Sequence, residues 1–363
     1  MSSPAGSSGS SSSAAPAGLG PNQGTALWAD AAGDPWSGPG SPASWSSPVS
    51  LIRLEGPDSR RFLHGQSSQA LETAAPGACL ATCLITPTAR LRGLALALVD
   101  DTGLDLVGLE GEGAALHQAL DRVLFPADRV RLDPPQPARL VRLAGPLPAQ
   151  VPLGSPGQWQ PLAAGAGLLL QPEVSLGGTA ASPAVLLRSG DEQPAWLEAF
   201  VPLDADAWAL WRLGQGFPAA PGEINDSCNP FELGLAGWVS LNKGCYVGQE
   251  TLAKLATYDG VKQQLRRWIW RAAGAGSGPG SDLERKALSP GSGLVTAAGE
   301  RAGVITSVLH LAAAGPAPAV VIGLALVRRA ALAETRLLAA DLPLEISTPA
   351  AFQAPPVGAG KGP

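Results

Sequence analysis

From Val49 onward the chain alternates short apolar runs with polar turns, and the runs predict its elements. Residues 49–54 begin a strand, and residues 58–71 predict a helix with Asp58 as its N-cap. Residues 79–85 read as a strand. Residues 91–99 are apolar apart from Arg92 and Gly93, as in a strand buried on both faces. The Asp100-Asp101-Thr102-Gly103 turn then joins a further strand, 104–109, as a hairpin. Residues 114–124 place Leu116, Leu120, Val123 and Leu124 on one helical face. Between 134 and 194 Pro and Gly are dense, and only 138–143 and 184–188 predict strands. Residues 202–213 predict a helix that opens on Pro202 and Asp204 and carries Trp208, Leu210 and Trp211.

Further on, Val239-Ser240-Leu241 predicts a short strand, and Leu252, Leu255 and Ala256 mark the buried face of a helix. A Gly/Ser-rich linker at 272–281 precedes strands at 293–296, 301–308 and 319–327. Strand, helix and hairpin mixed in this order predict an α+β fold. Residues 1–48 are rich in Ser, Gly, Ala and Pro, and the first basic residue is Arg53. Such a segment buries too little apolar surface to offset its ordering entropy, so 1–48 and the shorter 351–363 are expected to be disordered tails. A signal peptide needs a basic start and a presequence needs arginines, and the opening offers neither. With no long unbroken apolar run, the expectation is a cytoplasmic protein without a membrane span.

The 363 residues suffice for two or three domains, and the formal net charge of -5 disfavours direct nucleic-acid binding. The four cysteines, at 79, 83, 228 and 245, do not form a secreted disulfide framework in a chain of this size. His64, His117 and His310 lie outside ligand spacing of them, so no resident metal is expected and Cys79 and Cys83 read as buried thiols.

The densest chemical signal is Lys243-Gly244-Cys245-Tyr246-Val247-Gly248-Gln249-Glu250. Cys245 lies in a turn entering a helix, where free N–H groups and the Lys243 ammonium both favour a thiolate. Glu250, in the first helical turn, suits the helix dipole. The alternative is a packed cysteine in a glycine-rich turn.

This octet resembles the signature of YgfZ-type proteins, the folate-binding, iron–sulfur-related branch of the glycine-cleavage T-protein-like superfamily. Leu51 to Asp58 followed by Arg61-Phe62-Leu63-His64-Gly65-Gln66 is similar to that family's opening strand and helix. Thr86-Pro87-Thr88-Ala89-Arg90-Leu91 is similar to its Thr-Pro turn, and residues 125–130 fall where the next strand pair is expected. The resemblance implies a three-lobed fold around a central folate channel, with a two-lobed folate-binding region over 49–262 and a C-terminal β-barrel over 263–350. It implies tetrahydrofolate or a derivative as ligand, and iron–sulfur assembly or client proteins as partners. Effects on transfer-RNA modification would be indirect. Cys245 would be the working thiol and Lys243 its activator. Trp208 and Trp211 would stack on the folate or else belong to the core, and Arg212 would join the folate site. Gln66 would supply amide hydrogen bonds or cap its helix. T-proteins carry a pterin-recognising glutamate in an Arg-Leu-Glu-Ala-Gly stretch, where this chain reads Arg212-Leu213-Gly214-Gln215-Gly216. No acidic counterpart of their catalytic residue stands around Leu94. Aminomethyl transfer is therefore the competing reading, and a folate-binding module with a structural cysteine is the third.

Overall fold

A computed structural model describes residues 34–177, 182–272, 282–311 and 320–358. The chain runs β1 (Ala43–Glu55), α1 (Ser59–Gln66), β2 (Cys79–Ile85), β3 (Leu91–Val99), β4 (Gly103–Glu110) and α2 (Gly113–Asp121). Next come β5 (Arg131–Leu132), β6 (Gln136–Ala144), β7 (Gln158–Pro161), β8 (Leu168–Gln171), β9 (Ala184–Arg188), β10 (Val201–Pro202) and α3 (Ala205–Gln215). After α4 (Gln249–Thr257) follow β11 (Gln263–Arg271), α5 (Asp282–Ala287), β12 (Gly293–Val295), β13 (Arg301–Leu311), β14 (Val320–Arg328), β15 (Arg336–Ala339) and β16 (Leu342–Ser347).

The first ten strands make one sheet in the order β2-β3-β4-β1-β6-β9-β8-β7, with β5 and β10 also on β1. The sheet curls until its ends meet, where Ala78 bridges Gln158 and Trp159 N–H donates to the Gly77 carbonyl at 2.8 Å. The remaining strands close a barrel, β11-β14-β13-β12-β15-β16. The α+β class and the C-terminal barrel are thus as expected.

Strand β3 explains why the sheet is covered on both sides. Its Leu94, Leu96 and Leu98 enter the central core with Leu140, Trp211 and Ile322. Its Ala95, Ala97 and Val99 face Phe62 and Leu63 of α1 and Leu116 of α2. Each leucine buried in this way contributes about 1.5–3 kcal/mol.

Four local expectations are corrected. Strand β1 starts at Ala43, inside the stretch read as tail, because Ala43 and Ser44 pair with Ala144 and Leu143 on one side and with Val201 and Pro202 on the other. Helix α1 stops at Gln66, well short of residue 71. The Ser67 hydroxyl donates to the Leu63 carbonyl at 2.9 Å, and Ser68 Oγ accepts from Cys83 N–H at 2.8 Å, so both serines compete with helical pairing. Asp58 makes no cap. Its carboxylate accepts from Arg129, at 2.9 Å from Nε and 3.2 Å from the backbone N–H, and this holds 125–130 as a loop rather than a strand pair. Residues 239–241 are not a strand, and Ser240 N–H donates to the Ser68 carbonyl at 2.8 Å.

The C-terminal tail is also shorter than expected. Ala350 and Ala351 N–H donate to the carbonyls of Gly214 and Gln215, and Gln353 N–H donates to that of Gly234 at 3.0 Å. Phe352 lies on Gly234 beneath the Arg266 guanidinium, 5.2 Å from the ring centre. Residues 1–33 and 359–363 of the expected tails, and 273–281 of the linker, lie outside the described residues.

Candidate functional site

The octet loop is built on the C-terminus of α1. Val247 N–H donates to the Gly65 carbonyl at 3.0 Å. Gly248, at φ 79°, lies so close to the Thr86–Arg90 turn that a Cβ would stand 2.7 Å from the Thr86 carbonyl oxygen. Three segments far apart in the sequence, Gly65-Gln66, Thr86–Arg90 and Gly244–Gly248, therefore meet. Cys245 is exposed there, and the other three thiols are buried. Burial pushes Cys79 up to about 12 and Cys228 up to about 11, and pushes Cys83 up as well.

Lys243 has partners that the sequence does not reveal. Its Nζ donates to the carbonyls of His64, Ser67 and Gln69, the latter two at 2.7 Å, and sits 4.4 Å from the centre of the Tyr246 ring. All three ammonium protons are thus taken up by backbone carbonyls. Burial pushes the Lys243 ammonium down, while its three carbonyl acceptors favour the charged form. Glu250 is in the first turn of α4, as expected, and pairs with Lys254 at 2.6 Å.

A cleft of about 780 Å³ opens beside this junction. Gln66, Pro87 and Val247 form one wall and Leu116 and Leu120 of α2 another. Arg92 and Asp226, 3.7 Å apart as an ion pair, add charge of both signs, and Glu112, Gln118, Arg122 and Asn225 also line the cleft. An apolar floor with a few convergent polar groups, at this volume, suits a flat, partly polar molecule of drug size.

Trp208, Trp211 and Arg212 do not line this cleft. Trp45 stacks on Trp208 with centroids 5.5 Å apart and planes at 2°, and the Arg142 guanidinium lies 5.2 Å from the same ring. Trp211 is only 3% exposed and meets Trp208 edge-on. Trp211 is thus a core ring, whereas Trp208 and Trp45 are half-buried and pack against the edge of the core. Arg212 donates to the Phe217 carbonyl at 2.8 Å and pairs at 3.5 Å with Glu223, a fully buried carboxylate that also accepts from Ser307 Oγ at 2.7 Å. It borders a second cleft, of about 540 Å³, between residues 219–227 and β13.

At Gly214, where T-proteins carry the pterin glutamate, an added Cβ would meet the Trp36 ring at 3.3 Å. Arg267 holds both groups, donating to the Gly214 carbonyl at 3.0 Å with its guanidinium 4.9 Å from the Trp36 ring centre. Sequence reasoning missed Trp36, which it assigned to a tail, and the cleft residues Arg92, Glu112 and Asp226. It also missed His64, whose Nε2 lies 2.7 Å from the Lys243 carbonyl. The signal for His64 was its place beside Gly65-Gln66 in the opening motif. Among the described residues no group of three His, Cys, Asp or Glu side chains is arranged to hold a metal ion, and no helix is long and apolar enough to cross a membrane.

No protein-family profile matches the chain. A chloroplastic protein of Arabidopsis thaliana, named as a putative transferase, is 34% identical over 235 residues, which cover 59% of this chain and 52% of that protein. The chain thus spans about half the length of this curated relative. The crystal structure of the glycine cleavage system aminomethyltransferase T from Bartonella henselae superposes with a TM-score of 0.63 at 18% identity, covering 86% of this chain and 87% of that one. In architecture, the chain is a T-protein-like α+β body completed by a β-barrel.

Proposed function

We propose that this protein is a folate-binding accessory factor for the assembly or repair of iron–sulfur clusters in client enzymes, with Cys245 as its working thiol. The observation that carries the reading is the meeting of three signature segments at one wall of the 780 Å³ cleft, with the exposed Cys245 on one of them. Tetrahydrofolate or a derivative would lie in that cleft, with Gln66 offering an amide and Arg92 a positive charge to its carboxylates. The bound folate would supply one-carbon or redox chemistry, while the chain orients it and excludes water. The cytoplasmic placement belongs to the same proposal, the Arabidopsis relative being chloroplastic.

The competing reading is a folate-dependent aminomethyltransferase, favoured by the name of the Bartonella protein, the Arabidopsis relative being named only as a transferase. Gly214 argues against it, since it supplies no carboxylate and Trp36 covers the position. The test is calorimetric titration of the full chain with tetrahydrofolate, followed by product analysis with an amine donor. Stoichiometric binding that weakens in Gln66→Ala and Arg92→Ala, without turnover, is the expected result. Turnover of the one-carbon unit would establish the transferase, and absence of binding would overturn both readings. In a deletion strain, cluster-dependent enzymes should lose activity while glycine cleavage persists, and Cys245→Ser should not restore them.

A further inference from the structure

The last carbonyls of a helix have no partner within the helix, and something must satisfy them. In α1 the Leu63 carbonyl accepts from Ser67 Oγ, and the octet loop takes the next two. The His64 carbonyl accepts from Lys243 Nζ, and the Gly65 carbonyl accepts from Val247 N–H. Lys243 also reaches the carbonyls of Ser67 and Gln69, just past the helix. A return contact runs the other way. Glu72 N–H donates to His64 Nδ1 at 3.2 Å, so the proton of the neutral ring sits on Nε2 and is donated to the Lys243 carbonyl at 2.7 Å. His64 is nine-tenths buried, and the bond itself is partly buried.

Gly244, Cys245 and Tyr246 therefore bridge two anchors, Lys243 and Val247, both fixed to the end of one helix. Gly244, at φ 88° with nothing near its Cβ position, lets the chain turn outward between them. Cys245 is the exposed apex.

We infer that His64 and Lys243 are positioning residues that clamp the loop to α1 and so fix where the Cys245 thiol is presented, and that Lys243 acts through this clamp rather than through its charge. The inference deepens the proposed function and rests on Cys245 being its working thiol. It separates two roles for Lys243 that the sequence alone leaves merged. A charge acting on the thiol moves its titration. A clamp changes how often the loop opens.

The experiment measures alkylation of Cys245 by iodoacetamide against pH in the full-length protein and in Lys243→Met, His64→Ala and His64→Gln. Lys243→Met and His64→Ala are expected to change the limiting rate at high pH by a common factor of about threefold or more, as the loop opens locally, and to leave the midpoint within about 0.3 pH units. Removing the second partner should add little to removing the first, since both serve one clamp. In His64→Gln the side-chain amide N–H takes the place of Nε2–H and should restore the wild-type rate. A midpoint raised by about one unit in Lys243→Met, with His64→Ala behaving as wild type, would overturn the clamp and assign Lys243 to charge. Unchanged rates in both would overturn it too. If the variants do not fold, hydrogen exchange of the unaltered protein decides. The Val247 amide should be protected well beyond that of Cys245, and equal exchange would refute the two-anchor geometry. Failure of the functional reading has a separate signature, full rescue of a deletion strain by Cys245→Ser, which leaves these labelling results unaffected.

Discussion

The two glycines of the octet look alike in the sequence, yet replacement by alanine should cost very different amounts. Both have positive φ, 88° at Gly244 and 79° at Gly248. An L-residue held there costs about 1–2 kcal/mol. At Gly244 nothing lies within 4 Å of the new Cβ, so that strain is the whole penalty. At Gly248 the Cβ would stand 2.7 Å from the Thr86 carbonyl oxygen, 2.8 Å from Ile85 Cδ1 and 3.3 Å from Ala89 Cα. Two of these atoms are backbone of a turn closed by its own hydrogen bonds, Thr86 N–H to the Arg90 carbonyl at 2.9 Å and Ala89 N–H to the Thr86 carbonyl at 2.8 Å. The turn cannot yield without losing them, and overpacking of this kind adds about 1–3 kcal/mol. Gly248→Ala should therefore lose about 2–5 kcal/mol and Gly244→Ala about 1–2 kcal/mol. Gly244→Asn should come nearer to wild type, since asparagine tolerates this region. Urea unfolding with a common m-value measures the differences. Equal losses at the two positions, or a Gly248→Ala protein as stable as wild type, would refute the packing of this loop against the Thr86 turn.

Three further outcomes follow from the same geometry. Under native conditions at pH 7, iodoacetamide should add one label per chain, at Cys245, because the other thiols are buried and ionise far above neutrality; mass spectrometry showing a second thiol labelled as fast would contradict their burial. Trp211→Ala should cost about 3–5 kcal/mol, with folate affinity per folded molecule unchanged, and weakened binding without instability would return this ring to the ligand site. Asp100 feels burial, which raises its pKa, but the Arg53 hydrogen bonds and those from Thr102 outweigh it and hold the carboxyl at about 2, below its ordinary 3.8. A depressed carboxyl stabilises the fold above its ordinary pKa and loses that contribution as the pH falls through its folded value. Asp100→Asn should therefore cost about 1 kcal/mol near pH 7 after solvent screening, with the gap to wild type closing between about pH 4 and pH 2; a gap independent of pH would place the effect elsewhere.

The sheet was most legible where apolar runs are buried on both faces. Strands β2, β3 and β9 begin and end at the residues the pattern predicts, because a polar turn or a charge bounds each run. The first six residues of β1, Ala43–Pro48, were not legible. They are strand because of what they pair with, and serine, tryptophan and proline give no alternation to read. The octet announced its chemistry, but the destination of Lys243 could not be foreseen, since its acceptors are backbone carbonyls, which leave no mark on the sequence. Likewise, nothing local separates a core tryptophan from one that stacks on a ligand. Trp45, more than a hundred residues before Trp208 in the chain, covers one face of its ring.

The C-terminal barrel is not a detachable module. Its first strand, β11, precedes the 273–281 stretch, and the other barrel strands follow it. β11 is hydrogen-bonded to both β14 and β16, so a chain severed between Ala272 and Asp282 would leave the barrel open in one fragment and β11 without neighbours in the other. The smaller fragment would also carry Ala350–Gln353, whose seats at Gly214, Gln215 and Gly234 belong to the larger one. Each half thus holds the complement of the other. Halves made separately would be poor proteins, whereas halves made together have every strand needed to reassemble, which makes this break a natural split point for a two-part reporter of folding.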